Sequence, residues 1–99
     1  MRRISLEIRN PSGLHARPAA LFVETARRFS ADVQVANVTR NPAKVASGRS
    51  LLALLALGIS CGHTIHISTD GEDGEDAINA LRDLIEDGVG ESVPPSTRS

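Results

Sequence analysis

The sequence is poor in the residues that stabilise or anchor many small proteins. Its single cysteine, Cys61, excludes an internal disulfide. It has no Trp or Tyr and two Phe, so its hydrophobic core must be built mainly from aliphatic side chains. No apolar stretch approaches the roughly 20 residues needed to span a bilayer, and the N-terminal segment MRRISLEIRN has no continuous apolar run of the kind that a signal peptide needs. We therefore expect a soluble, cytoplasmic domain.

The sequence also lacks an excess of charge of either sign. Its 11 basic and 12 acidic residues give a formal net charge of −1 with histidine neutral. Nucleic-acid-binding proteins normally carry a basic excess, so this balance argues against that class. The length of 99 residues fits one small domain, which we place at residues 1–91. Residues 92–99 show no hydrophobic periodicity, and we expect them to form a disordered tail.

The hydrophobic pattern predicts seven elements in the order β-α-β-β-α-β-α. Strands are predicted where apolar and polar residues alternate, at residues 4–8, 32–35, 43–47 (weakly) and 64–68. Helices are predicted at residues 16–29, at residues 51–57, and in a final stretch that follows Asp73 and stops at Gly88. Each strand with a clear pattern has one polar face. This indicates an α+β fold, a two-layer open-faced sandwich with a four-stranded antiparallel sheet and three helices on one face.

His15 lies in the segment NPSGLHARPAAL, residues 10–21, where a strand pattern gives way to a helical one. The first N–H groups of a helix have no intrahelical acceptor, and the helix dipole makes this end electropositive. We expect free N–H groups on Ala16 and Arg17 beside the imidazole, since Pro18 fits an early helical position. The Arg17 guanidinium adds donors suited to phosphate oxygens. A nucleophilic ring nitrogen beside these donors favours a site for a phosphoryl group.

The residues alone do not exclude a structural role, in which the histidine caps the helix and Arg17 is a solvated surface residue. A family resemblance favours the chemical role. The motif GLHARPA, the segment RSLLALLALGI and the ending GVGE resemble HPr, the histidine-containing phosphocarrier family of the sugar phosphotransferase system. The resemblance runs from about residue 4 to residue 91 and implies the HPr-like fold.

The resemblance implies a function for His15 and Arg17. In the family, the motif histidine accepts a phosphoryl group from phosphorylated enzyme I and passes it to a IIA component, while the motif arginine stabilises the phosphoryl group. Such a protein is a stoichiometric carrier rather than an enzyme with its own substrate. We expect a monomer that needs no cofactor, nucleic acid or membrane insertion. The alternative is a regulatory phosphoprotein that controls a kinase or transcription factor without sugar transport.

A second modification site is implied at Ser50. In some bacteria a dedicated kinase phosphorylates the matching serine, and a phosphatase reverses the reaction. The alternative is that Ser50 only caps the helix that follows it. Ser47 is a competing candidate for that cap.

The run LLALLAL places leucines around most of a short helix, whereas a helix that lies on a sheet buries only one side. Some of these leucines must therefore face solvent or a partner. The resemblance indicates Leu51, Leu52 and Leu55 as partner contacts. Arg27 and Arg28 would form a basic rim that steers acidic partners. The alternative is that the chain's own loops or tail cover the leucines.

Cys61, His63 and His66 are residue types that bind metals, and they lie within six residues of one another. However, residues three apart on a strand point to opposite faces, which separates the two histidines. We therefore predict no metal site.

Overall fold

The computed structural model describes residues 1–90 as a four-stranded antiparallel sheet with three helices packed on it. The strands are β1 Arg2–Glu7, β2 Asp32–Asn37, β3 Val45–Ser47 and β4 Thr64–Asp70. The helices are α1 Ala16–Ala26, α2 Leu51–Leu55 and α3 Gly74–Glu86. The predicted element order and fold class are confirmed. Glu91 and the predicted tail at residues 92–99 lie outside the described residues.

The sheet has the strand order β1-β4-β2-β3. β4 pairs antiparallel with both β1 and β2, so that Ile67 lies opposite Ile4 on one side and Val35 on the other. Because neighbours along a strand point to opposite faces, the alternating apolar residues share the face that packs on the helices. These residues, with Phe22 and Ala26 of α1, are part of one buried core that is otherwise aliphatic.

Helix α1 ends earlier than its hydrophobic pattern predicts. The pattern continues to Phe29, but the helix ends at Ala26 and Arg27 is its C-cap. The reason is a set of long-range contacts with residues 29–31. The Arg49 guanidinium donates to the carbonyl oxygens of Phe29 (2.7 Å) and Ala31 (3.2 Å), which turns the chain away from the helix axis.

Asp73, at the start of α3, holds residues 29–31 from the opposite side. Its carboxylate accepts hydrogen bonds from the backbone N–H groups of Ser30 and Ala31, both at 2.8 Å. Two opposite charges therefore bind the same segment. Arg49 binds carbonyl groups of residues 29–31, and Asp73 binds N–H groups of the same residues. We call this arrangement the 29–31 clamp. It ties the ends of α1, α2 and α3 to one another.

Helix α2 begins as predicted. The Ala53 N–H donates to Ser50 Oγ at 3.2 Å, which confirms Ser50 as the N-cap. Ser47, the competing candidate, accepts instead from the Arg49 N–H at 3.2 Å. The helix ends at Leu55, two residues before the end of the leucine-rich run, and Gly58 follows with φ +61°.

The remaining boundaries differ by one or two residues from the predictions. β3 begins at Val45 rather than at residue 43, and α3 ends at Glu86 with Asp87 as its C-cap. Gly88, where the pattern stops, has φ +88° and cannot continue a right-handed helix in that conformation. No helix of residues 1–90 has the length and apolar character needed to cross a bilayer.

The 29–31 clamp predicts an acid-sensitive contribution to stability. The Ser30 N–H is the main cause that lowers the pKa of Asp73, and the Ala31 N–H and the Ser30 hydroxyl act in the same direction, while burial opposes them. A carboxylate with a lowered pKa stabilises the fold above its unfolded-state pKa of about 3.9, and this contribution is lost as the pH falls through the folded-state pKa. Asp73→Asn should therefore be less stable than wild type at neutral pH. Its stability should also fall less steeply in acid.

Urea unfolding midpoints measured from neutral pH into acid test this prediction. Asp76→Asn is the matched control, because it removes the same charge from the first turn of α3, at a side chain outside the clamp. It should keep the acid dependence of the wild type. An acid dependence in Asp73→Asn as steep as in wild type would show that the clamp carboxylate does not contribute.

Candidate functional site

His15 is the N-cap residue of α1. Its backbone is extended, with φ −118° and ψ 156°, and its side chain is exposed. The imidazole makes no capping hydrogen bond, so the structural interpretation in which this side chain caps the helix is wrong. The ring is open to solvent, as required of a nucleophile that must meet a second protein.

The turn that precedes His15 is closely packed. Asn10 is buried, its Nδ2 donates to the Gly13 carbonyl oxygen at 2.8 Å, and the Gly13 N–H donates to the Asn10 carbonyl oxygen at 3.1 Å. Gly13 has φ +62°, and a Cβ at this position would lie 2.7 Å from Ser60 Cα. Both observations require glycine, since any side chain would be strained and would collide with backbone. The turn is therefore fixed against the segment that follows α2.

Buried residues anchor the exposed segment 15–17 at both of its ends. On one side, Leu14 is fully buried and its N–H donates to the Ile59 carbonyl oxygen at 3.0 Å. On the other side, Pro18 and Ala19 are buried within α1. His15 is thus held in place by its neighbours while its own side chain stays accessible.

Ala16 has φ +47°, a left-handed backbone conformation that residues with a Cβ rarely adopt. Such a conformation costs on the order of 1–3 kcal/mol and persists only where the surrounding structure enforces it. The buried anchors at Leu14 and Pro18 supply that constraint. The strain therefore lies at the first residue of the helix, directly after the histidine.

Arg17 follows in the first turn of α1 and is exposed. Its guanidinium forms no ion pair or hydrogen bond with residues 1–90, which leaves its donors available. The N–H groups of Ala16 and Arg17 have no acceptor within the helix, because they belong to its first two residues. The structure thus brings His15, Ala16 and Arg17 together on one exposed segment.

A polar network behind the site was not predicted from the sequence. His63 Nδ1 accepts from the Ser60 N–H at 3.0 Å, and Asn37 Nδ2 lies 3.0 Å from the same nitrogen. Because Nδ1 accepts, a neutral His63 ring carries its proton on Nε2. Asn37 Nδ2 also donates to the Leu57 carbonyl oxygen at 3.3 Å. This network fixes the segment against which Gly13 packs, and no local sequence signal indicates it.

Cys61, His63 and His66, the residues of types that bind metals, contact different partners. His63 belongs to the network just described, and Arg3 donates to His66 Nδ1 at 2.7 Å. The Cys61 thiol lies 3.6 Å from the Arg9 carbonyl oxygen. No group of three His, Cys, Asp or Glu side chains in residues 1–90 could hold a metal ion.

Helix α2 exposes the leucines that are predicted as partner contacts. Leu52 is 77% exposed, Leu51 40% and Leu55 36%, whereas Leu54 is fully buried. We call the three exposed side chains the leucine surface. Arg27, one of the two residues of the predicted basic rim, donates from Nε to the Arg49 carbonyl oxygen at 3.1 Å. Because Arg49 lies two residues before Leu51, Arg27 lies near the leucine surface. Arg28 is also exposed.

The chain is similar to known phosphotransfer proteins. A family model described as "PTS HPr component phosphorylation site" matches residues 3–87. Over 85 residues the chain is 40% identical to phosphocarrier protein HPr of Pseudomonas aeruginosa. The matched region covers 86% of this chain and 91% of that protein. Over 86 residues it is 42% identical to the multiphosphoryl transfer protein of Salmonella typhimurium, which covers 87% of this chain. The chain spans only 23% of the length of that relative.

Solved structures share the fold. HPr-C-His from Thermoanaerobacter tengcongensis has a TM-score of 0.87 and 43% identity, covering 94% of this chain and 100% of that one. An HPr dimer from the same organism has a TM-score of 0.71 and 44% identity, covering 92% of this chain and 100% of that one. A protein similar to this chain is therefore known as a dimer, whereas the expectation here is a monomer.

The strain at Ala16 predicts an unusual effect of glycine. Glycine adopts φ +47° without a steric penalty, and its entropic cost of about 0.5–1 kcal/mol is smaller than the strain that it removes. We expect Ala16→Gly to raise the free energy of unfolding by up to about 1 kcal/mol. Urea unfolding measures the difference.

Ala20→Gly is the matched control for Ala16→Gly. Ala20 is exposed within α1, where the same substitution should lower stability by about 1 kcal/mol. If both variants lose stability equally, Ala16 carries no strain.

Proposed function

The chain belongs to the HPr family of phosphotransferase-system phosphocarriers, and from this premise we propose that it carries a phosphoryl group on His15. The donor in this proposal is phosphorylated enzyme I, and the acceptor is a IIA component, both met in the cytoplasm. The observation that carries the proposal is the His15 imidazole, which is exposed, makes no capping bond and lies at the start of α1.

In the proposed transfer, a neutral His15 ring is the nucleophile. A lone pair of one ring nitrogen, Nδ1 by resemblance to the family, forms a bond to phosphorus while the bond between phosphorus and the donor breaks. The second step is the reverse, with the acceptor as nucleophile. The phosphoryl group is conserved through both steps and no water takes part, which makes the protein a stoichiometric carrier.

Arg17 and the first helix N–H groups would stabilise the group in transit. Charge spreads over the phosphoryl oxygens in the transition state, and donors placed beside them are most effective there. A carrier must also release the group, so these donors should favour the transition state over phospho-His15 itself. The accessible Arg17 guanidinium and the N–H groups of Ala16 and Arg17 match that requirement.

We propose that partners dock on the leucine surface, with Arg27 and Arg28 as a basic rim. Apolar side chains that are exposed on a small protein are often an interaction surface. The rim charges would raise the association rate with an acidic partner rather than hold it once bound. Within residues 1–90, Leu52 is largely uncovered, and Leu51 and Leu55 are each more than one-third exposed.

Ser50 is proposed as a regulatory phosphorylation site on the border of the leucine surface. Its hydroxyl already serves as the N-cap of α2, and it lies between Arg49 and the exposed Leu51. A phosphate there would place a dianion where an acidic partner must approach, so that like charges repel. The alternative function, a regulatory phosphoprotein without sugar transport, would use the same His15 and Ser50.

Intact-mass measurement tests the carrier proposal. With phosphoenolpyruvate, Mg²⁺ and enzyme I, the wild type should gain one acid-labile phosphate and His15→Ala should gain none. His66→Ala is the control, because it removes an imidazole from β4, where Arg3 is its partner, and should be phosphorylated normally. No adduct on wild type, with an enzyme I that is itself phosphorylated, would contradict the proposal.

The same experiment, followed over time, tests Arg17. Loss of one donor that stabilises the transition state typically slows a reaction about 100-fold or more. The loss of a solvent-exposed donor such as Arg17 should have a smaller effect, so we expect Arg17→Gln to slow transfer at least about tenfold. Arg82→Gln, on α3, should transfer at the wild-type rate. An unchanged rate in Arg17→Gln would remove Arg17 from the site.

Ser50→Asp tests the regulatory proposal without loss of the helix cap, since Asp caps a helix as well as Ser does. We expect His15 of this variant to be phosphorylated more slowly by enzyme I, while the urea midpoint stays close to that of wild type. Ser68→Asp adds the same charge to β4 and should leave the rate unchanged. Equal rates for Ser50→Asp and wild type would contradict a regulatory role for charge at this position.

A further inference from the structure

A pocket with a volume of about 260 Å³ opens at the C-terminal end of α2. It lies between that helix end and the connection from β2 to β3. Two of its lining residues are cationic, Arg40 and Lys44, and none is acidic. The others are Asn37, Asn41, Ala56 and Leu57. The proposed transfer reaction and the proposed leucine surface use none of these residues.

The connection that carries the two cations is ordered by its own hydrogen bonds. The Arg40 N–H donates to the Asn37 carbonyl oxygen and the Lys44 N–H to the Asn41 carbonyl oxygen, both at 3.2 Å. Lys44 Nζ donates to the Ala56 carbonyl oxygen at 3.3 Å, which uses one of its three donors. The cations are therefore held at the pocket before any ligand arrives.

Arg40 keeps its donors free. Its guanidinium lies against Gly58, where it occupies the space that a Cβ would take. It forms no hydrogen bond or ion pair with residues 1–90. Five N–H donors in a planar group, fixed beside an open pocket, suit a carboxylate or a phosphate.

Within residues 1–90, no acidic side chain lines the pocket or forms an ion pair with its two cations. Residues 33–69 contain no Asp or Glu. Asp32 and Asp70 lie opposite each other at the far end of β2 and β4. Asn37 lies five positions along β2 from Asp32, about 17 Å at ~3.4 Å per residue, which exceeds the screening length of about 8–10 Å in physiological salt. Glu7 is two strands away and shares another pocket with Arg9.

The pocket is continuous with the leucine surface. Leu52, the most exposed leucine of α2, lies one helical turn before Ala56, and the Ala56 N–H donates to the Leu52 carbonyl oxygen at 3.1 Å. Residues four apart on a helix share a face, so a protein that covers Leu52 also reaches the mouth of the pocket. The volume is below the range of about 300–1,000 Å³ that is typical of small-molecule sites, which favours a single side chain.

We propose that this pocket receives a Glu or Asp side chain of the protein that docks on the leucine surface, with Arg40 and Lys44 as its counter-charges. The inference rests on the proposed function, because it assigns an additional contact to the docked partner. It extends the docking surface beyond α2 to the connection between β2 and β3. It also identifies the chemistry of the partner, an acidic residue next to an apolar patch.

The test is a double variant, Arg40→Gln with Lys44→Gln. Glutamine removes the charge and keeps an N–H donor for the Ala56 carbonyl oxygen. We expect calorimetric titration with enzyme I and with a IIA protein to show about tenfold weaker binding of at least one partner. The salt dependence of that binding should decrease as well. In wild type, the partner should also shift the NMR signal of the Asn41 side-chain amide, while the Asn79 amide on α3 stays unchanged.

Two control variants isolate the pocket. Arg82→Gln removes a charge from α3 and should bind both partners as wild type does. Leu52→Ser should weaken binding without loss of stability, since the side chain is 77% exposed. The double variant should unfold at the wild-type urea concentration, which separates a lost contact from a damaged fold.

Three results would overturn the inference. The first is equal binding of both partners to the double variant and the wild type while Leu52→Ser binds weakly. The second is equal binding of both partners together with an NMR shift of the Asn41 amide by inorganic pyrophosphate, seen in the wild type and not in the double variant. The pocket would then be a site for small anions. The third, a wild type that binds neither partner and gains no phosphate on His15, would contradict the proposed function too. Phosphorylation of His15 with unchanged binding by the double variant contradicts only the pocket.

Discussion

The backbone contact between Gly13–Leu14 and Ile59–Ser60 is the constraint on which the site depends. Gly13 packs on Ser60 Cα where no side chain fits, and one residue later the Leu14 N–H bonds to the Ile59 carbonyl oxygen. This contact joins the segment before α1 to the segment after α2. The exposed histidine and the exposed leucines therefore keep a fixed relation, although they lie on different helices. It also supplies one of the two anchors that hold Ala16 in its strained conformation.

Charge is distributed unevenly along the chain. Residues 33–69 carry no acid, whereas residues 70–90 carry eight acidic residues and a single arginine. A protein with nearly balanced net charge can therefore still present one basic side and one acidic side. Such an arrangement orients an approaching acidic surface before contact is made, and the effect weakens with salt. In the proposed function, the basic side holds the docking surface and the acidic side, α3, takes no part in it.

The sequence predicts the fold well because alternation and helical periodicity depend on burial, and burial is one-sided along β1, β4 and α3. The cap at Ser50 and the exposure of Leu52 follow from the same local logic. Three features could not be predicted, since each depends on residues far apart in the chain. They are the left-handed backbone of Ala16, the early end of α1 caused by the Arg49 bonds, and the support of Ser60 by Asn37 and His63. Periodicity reports which face is buried, not which distant group interrupts a helix.

The position of β4 between β1 and β2 determines when the sheet can form during synthesis on the ribosome. Ile4 pairs with Ile67, so the first strand has no native neighbour until 63 more residues have been added. At a synthesis rate of about 5–20 residues per second, this wait lasts roughly 3–13 seconds. β2 and β3 can meet as a hairpin during that time, but the hairpin too lacks β4 along its other edge. The order of synthesis thus makes the sheet close in one late step, when its last strand emerges and joins both halves.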